Sequence, residues 1–334
     1  LPIGIQTFAE IRQEGHYYVD KTPHILRLLD EGKYYFLSRP RRFGKSLLID
    51  TIAELFEGNQ ALFEGLYAEP HWDWSRRFPV VRISFGKGVL HSRAELDEKI
   101  RELLAAESRR HGLGYGSASI SGEFTELIRS LHEHSGQRVV VLVDEYDKPI
   151  LDNITEPEIA REMRDGLRNL YSVIKDEDAH IRFALLTGVS KFSKVSLFSG
   201  LNNLRDITVS TEYSAICGYT DQDVEQVFAP ELPGLDREEI RRWYNGYNWT
   251  GTSVYNPFDL LLLFDKREFK PYWFETGTPT FLVNLLTQRG TFTPELGQWL
   301  TMDSLLSTFD VDEMSSEALL FQSGYLTIGS QFKM

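Results

Sequence analysis

Hydrophobic and polar positions along the chain follow two alternating rhythms. Residues 34–37 form a short β-prone run, followed by a loop rich in Pro, Arg and Gly and then a helically periodic apolar stretch over 46–56. That order reads strand, loop, helix. Residues 80–85 predict a second strand, closed by Gly86 and Gly88, and helical periods follow at 92–110 and 122–135. Residues 138–143 are almost wholly apolar and β-branched, the pattern of a strand buried on both faces of a parallel sheet. A helix at 157–176, a strand at 181–187 and a further strand at 206–210 complete the series. Alternating strands and helices of this kind imply a three-layer α/β domain with a mainly parallel sheet. Past residue 215 the pattern changes to helices with short breaks, at 220–228, 236–244, 256–265 and 279–287. The expected organisation is an α/β core over 1–215 and a smaller helical, winged-helix-like domain over 216–334.

Composition narrows the class. The 334 residues are 42% hydrophobic and 25% charged, ordinary for a chain that buries a sizeable core. No apolar run approaches the roughly 18 residues that a membrane helix needs. The start, Leu1-Pro2-Ile3-Gly4, has no basic segment ahead of an apolar one, so no signal peptide is expected. It also lacks an initiator Met, consistent with numbering that begins inside a longer product. The single cysteine, Cys217, excludes an internal disulfide framework and a multi-cysteine metal site. Together these point to a cytoplasmic protein with no membrane partner. A net charge of −13 argues against broad nucleic-acid binding. One local basic patch stands out: Arg39, Arg41, Arg42 and Lys45 place four positive charges in seven residues.

That patch lies in the loop between the first strand and its helix, where the pattern G-x-x-x-x-G-K-[ST] holds phosphate. Such a loop needs backbone N–H groups pointing inward, a helix N-terminus, and a lysine reaching the phosphate oxygens. Gly44-Lys45-Ser46 supplies the second half, with Lys45 neutralising phosphate and the Ser46 hydroxyl ligating Mg²⁺. Arg39 occupies the first glycine position. A basic surface turn capping a helix is the plainer alternative.

About a hundred residues on, Val139-Val140-Val141-Leu142-Val143 runs into Asp144-Glu145. In P-loop ATPases a strand beside the loop strand ends in an acidic residue that holds Mg²⁺. Asp144 fits the metal role, and Glu145 fits the base that activates water. The loop and this strand end would be the Walker A and Walker B elements. A polar residue ending the strand at 183–187, Thr187 or Ser190, is placed to sense the γ-phosphate; an ordinary Gly turn explains the same spacing.

These residues resemble a known family. Tyr17-Tyr18-Val19-Asp20-Lys21-Thr22, the loop Leu37 to Ser46, and Val143-Asp144-Glu145-Tyr146-Asp147-Lys148-Pro149 look like the AAA-ATPase-like family. Thr187-Gly188-Val189-Ser190-Lys191-Phe192-Ser193, Ser199-Gly200-Leu201-Asn202-Asn203-Leu204 and Trp243-Tyr244-Asn245-Gly246-Tyr247 continue the likeness. So do Tyr255-Asn256-Pro257-Phe258 and Tyr272-Trp273-Phe274-Glu275-Thr276-Gly277. The resemblance implies an ATP-binding core in which Arg41, Arg42, Phe43, Gly44, Lys45, Ser46 and Leu47 hold nucleotide, with Asp20, Lys21 and Ser190 nearby. It makes Arg39 a family trait, although Asp20 also suits a helix cap. Members commonly continue into a PD-(D/E)XK nuclease domain, expected to begin near Met334 and so outside this chain. DNA would then be reached only through that domain, and a homo-oligomer is compatible.

Other constellations carry less. His132-Glu133-His134 has i, i+2 spacing, which splits the imidazoles between helix faces. Asp97-Glu98-Lys99 lies in a helical period and does not make a nuclease centre. Cys217 reads as core. Trp243, Tyr244, Tyr247 and Trp249 can stack bases or pack a core, and Arg205 can be an arginine finger or an exposed loop residue. Guanine reading is disfavoured because no N-K-x-D motif is present. The Asp144-Glu145 pair suits water more than a kinase's acceptor hydroxyl. The expectation is an Mg²⁺-dependent ATPase, with a nucleotide switch of little turnover, or a DNA-associated regulatory module, as the alternatives.

Overall fold

The computed structural model describes residues 1–114, 116, 119–191, 197, 203–273, 280–289 and 316–329. Motif residues 192–193, 199–202 and 274–277 lie outside the described residues. Five strands form one sheet: β1 (Tyr34–Ser38), β2 (Val80–Ser84), β3 (Val139–Asp144), β4 (Ile181–Gly188) and β5 (Arg205–Asp206). Their order is β2-β3-β4-β1-β5, and every pairing is parallel. The strand expected over 206–210 is shorter and earlier, ending at Asp206, where the Asp206 carboxylate accepts from Thr208 N–H and turns the chain.

Period-2 alternation divides each strand between two cores. On β3, Val139, Val141 and Val143 face one way, where Leu96, Ile100 and Leu104 of α4 (Arg93–Arg110), Phe124 and Leu127 of α5 (Ile120–Ser135), and Met163 and Leu167 of α6 (Pro157–Asp176) meet them. Val140 and Leu142 face the other way, onto α2 (Thr22–Glu31) and onto Leu48, Ile52 and Leu55 of α3 (Lys45–Glu57). A strand covered on both sides has no use for polar positions, which is why 139–143 carries none. The short α1 (Phe8–Gln13) packs on α3 through Phe8 and donates the Phe8 N–H to Asp50.

A third apolar cluster joins α7 (Asp221–Val227), α8 (Arg237–Tyr244) and α9 (Pro257–Lys266), with Val19, Tyr17 and Ile3 from the chain start packed into it or against it. Thr220 and Asp223 form a capping box on α7, Asp236 caps α8, and Asn256 caps α9 ahead of Pro257. Cys217, Trp249 and Val254 belong instead to the core behind β1. Further on lie α10 (Thr280–Arg289) and α11 (Ser316–Gln322); α11 sends Leu319 into the first core and Phe321 into the second.

One topological detail differs from the sequence expectation. The acidic strand β3 does not lie beside β1, because β4 is inserted between them. Neighbouring strands lie about 4.8 Å apart, so β1 and β3 are separated by roughly 10 Å. The end of β4, Thr187 and Gly188, fills that interval.

Candidate nucleotide site

Beyond β1 the chain crosses Pro40 to Phe43 and enters α3 at Lys45. Gly44 holds φ +88° at the N-cap, a left-handed conformation that costs glycine nothing. Arg42 takes φ +68° and lays its guanidinium 4.7 Å from the Phe258 ring centroid on α9. Lys45 is buried, and its Nζ donates to the carbonyls of Arg39 and Pro40 at 2.9 Å each. Burial lowers the Lys45 pKa, partly opposed by Asp144. Ser46 Oγ donates to Asp144 Oδ2 at 2.5 Å, and Thr187 Oγ1 donates to Asp144 Oδ1 at 2.8 Å. Asp144 is therefore oriented from both sides, by the loop helix and by the inserted strand.

Glu145 follows with φ +52°, unusual for a residue bearing a Cβ. Burial raises its pKa, and the neighbouring Asp144 charge adds to that. Its carboxylate faces a cleft of about 460 Å³, together with Lys45, Ser46, Gly86 and Lys148. The lining also carries apolar and aromatic side chains, among them Ile5, Ile11, Tyr17, Tyr18, Leu48, Ile216 and Leu261. Charged groups at a helix N-terminus thus share one cleft with apolar surface, the mixed lining of a small-molecule site.

Residues 2–198 match the AAA-ATPase-like family, described as predicted AAA-ATPases. The chain belongs to this family. It is also 68% identical over 330 residues to a protein of Azotobacter chroococcum mcd 1 described as "Uncharacterized protein in vnfD 5'region". That match takes in 98% of this chain and 64% of the relative, so the chain spans about two thirds or less of the relative's length. No solved structure matches it.

Within this AAA-ATPase-like chain, Lys21, Arg41, Arg42, Phe43, Gly44, Lys45, Ser46, Leu47 and Glu145 all line the cleft. Lys21 Nζ also pairs with Asp223 Oδ2 of α7 at 3.1 Å. Asp144 stands just behind, reached through Ser46. Two residues expected near nucleotide do not line it. Asp20 accepts from Thr22 N–H at 2.9 Å and Tyr67 N–H at 2.7 Å, fixing the start of α2. Ser190 is fully buried, and both its N–H and Oγ donate to Asp147 at 2.6 Å.

Arg39 does not enter the cleft. Its buried guanidinium donates to the carbonyls of Ser38, Thr208 and Tyr213 and lies 4.0 Å from the Trp249 ring centroid. Burial pushes its pKa down to about 10, still charged at neutral pH. Trp249 and Tyr247 stack with each other and meet Phe43 edge-on, so these two aromatics back the loop between β1 and α3. Arg205 pairs with Glu31 at 3.0 Å, beside Tyr35 and far along β1 from the loop. Among the described residues no cluster of three or more His, Cys, Asp or Glu could hold a metal, and His132 is bonded to the Gln137 carbonyl. No helix of the described residues is long and apolar enough to cross a membrane.

Sequence reasoning did not assign Ile5, Ile216 or Leu261 to the cleft, and residues 216–219 carry no motif of their own. Tyr17, Tyr18, Pro257 and Phe258 do lie in segments that carry the family resemblance, and that was the available signal.

Proposed function

We propose that this chain binds Mg·ATP in the cleft and hydrolyses it to ADP and phosphate, a turnover that drives or gates a conformational change. The observation that carries the reading is convergence: Lys45, Ser46, Asp144 and Glu145 come from two strand ends separated by β4, yet Ser46 and Asp144 touch, while Lys45 and Glu145 share one cleft. Ser46 Oγ and Asp144 Oδ2 are hard oxygen donors beside an ammonium group, a set that fits Mg²⁺. Those two residues would hold the ion, which when bound neutralises charge on the phosphate oxygens.

The remaining roles belong to the chain itself. The N-terminus of α3 and Lys45 Nζ bind the phosphates. The apolar side chains, Tyr18, Ile216 and Leu261 among them, hold the base and exclude water. Glu145 accepts the proton of the attacking water at its carboxylate. Its raised pKa brings it nearer the working pH, where a general base is most effective. Coupling to a nuclease domain, and through it to DNA, is supported by the family resemblance.

Phosphate release and Mg·ATP binding measured on one sample test the proposal. Lys45→Ala should weaken binding by about tenfold or more. Glu145→Gln should retain binding and lose turnover by roughly a hundredfold or more. In wild type, turnover should rise with pH as Glu145 deprotonates, with a midpoint above the ordinary carboxylate range. Equal turnover in Glu145→Gln would remove the base assignment.

A further inference from the structure

Asp147 is a buried acid that the proposed chemistry does not use. Its Oδ2 accepts Ser190 N–H and Ser190 Oγ at 2.6 Å and Val189 N–H at 3.0 Å, and its Oδ1 accepts Val189 N–H at 3.3 Å. Around it, Tyr146 N–H donates to the Thr187 carbonyl at 3.0 Å, and Tyr146 Oη donates to the Ser190 carbonyl at 3.0 Å. The turn after β3 is thereby bound to the turn after β4. The approach is close enough that a Cβ on Gly188 would lie 2.4 Å from Asp147 Oδ1 and 2.6 Å from the Tyr146 ring.

Glu145 sits inside this junction at φ +52°. A residue with a side chain stays in that region only where its surroundings over-determine it. Lys148 N–H bonded to the Glu145 carbonyl closes the turn on one side, and the Asp147 contacts fix it on the other. Val189, the second residue Asp147 grips, itself lines the same cleft as Glu145.

We infer that Asp147 is a positioning residue: by tying the Glu145 turn to the Gly188–Ser190 turn, it holds the Glu145 carboxylate towards the cleft. The inference rests on the reading of Glu145 as the group that activates water. Without Asp147 the turn relaxes to an ordinary backbone conformation, and Glu145 points elsewhere.

The test uses Asp147→Asn, which preserves shape but turns an amide towards the donors, and Ser190→Ala, which removes one hydroxyl contact and leaves the fold. Turnover in Asp147→Asn should fall between about ten- and a hundredfold, the loss that a misplacement near 1 Å produces, with the Mg·ATP Kd within about threefold of wild type. Ser190→Ala should fall less, in the same direction. In a Glu145→Gln background Asp147→Asn should cause no further drop, because the two act through one group. Amide hydrogen exchange, read without nucleotide, should quicken at 144–148 and 187–190 while 40–47 stays unchanged. An equal loss of affinity, an additive loss in the Glu145→Gln background, or unchanged exchange at both turns would overturn the positioning role. Wild-type protein that turns over no ATP would instead remove the hydrolysis reading, and the exchange measurement would still decide whether Asp147 holds the turn.

Discussion

Asp259 is a buried acid and Glu145 a partly buried one, and their surroundings give them different work. Glu145 faces a cleft with Lys45 among its neighbours. Asp259, in the first turn of α9, is 1% exposed, and neither carboxylate oxygen has a hydrogen-bond partner among the described residues. Burial alone pushes its pKa up to about 7. In the unfolded chain the group titrates near ~3.9, so the folded state binds the extra proton. This raised pKa makes stability fall as pH rises from roughly 4 to 7, with a slope from this group of about 1.4 kcal/mol per pH unit. Asp259→Asn should remove that component. Urea unfolding of both proteins at a series of pH values checks it, and parallel curves would show that Asp259 is ionised in the folded state.

Elements decide what the loop between β1 and α3 can tolerate. Arg39 links the end of β1 to the segment after β5 and to Trp249, with hydrogen bonds to the Thr208 and Tyr213 carbonyls at 2.7 and 3.1 Å. Restoring the glycine of the usual pattern would leave a cavity and three carbonyls, those of Ser38, Thr208 and Tyr213, without their charged donor. Arg39→Gly should therefore destabilise the protein by roughly 3 kcal/mol or more without raising nucleotide affinity. Chemical denaturation beside Mg·ATP binding measures both; a variant that is stable and binds more tightly would make Arg39 an impaired phosphate contact after all. At this same scale the strands and helices were largely readable, because period 2 and period 3.6 are local properties. The position of β4 was not, since strand order depends on which long-range pairings bury the most surface. Ser190 shows the consequence: at a strand end its type suits phosphate sensing, but β4 carries it against Asp147.

The cleft belongs to the whole molecule. Its lining draws on the loop after β1, the start of α3 and the turn after β3, together with the chain start, residues 216–219 and α9. Lys21 pairs with Asp223 and Tyr17 donates to Glu231, which joins the chain start to α7 and the segment after it. Mg·ATP at a hundred times its Kd should stabilise the fold by about 2.7 kcal/mol. It should slow hydrogen exchange at 2–6, 216–219 and 257–261 as well as at 40–47. Protection confined to 40–47 would place the base away from those three stretches.

Gly44-Lys45-Ser46 after a strand and Asp144-Glu145 at the end of another were determined by the sequence alone, because loop chemistry and apolar periodicity act over neighbouring residues. So was the α/β class, since a fully apolar β3 demands cover on both faces. Tertiary structure alone decided that Arg39 turns into the core, that Asp20 holds the Tyr67 N–H, and that Ser190 serves Asp147. It also decided which three remote stretches complete the cleft. The physical reason is the same throughout: a side chain's partners are fixed by how the elements pack, and contacts between residues far apart along the chain leave no period in it.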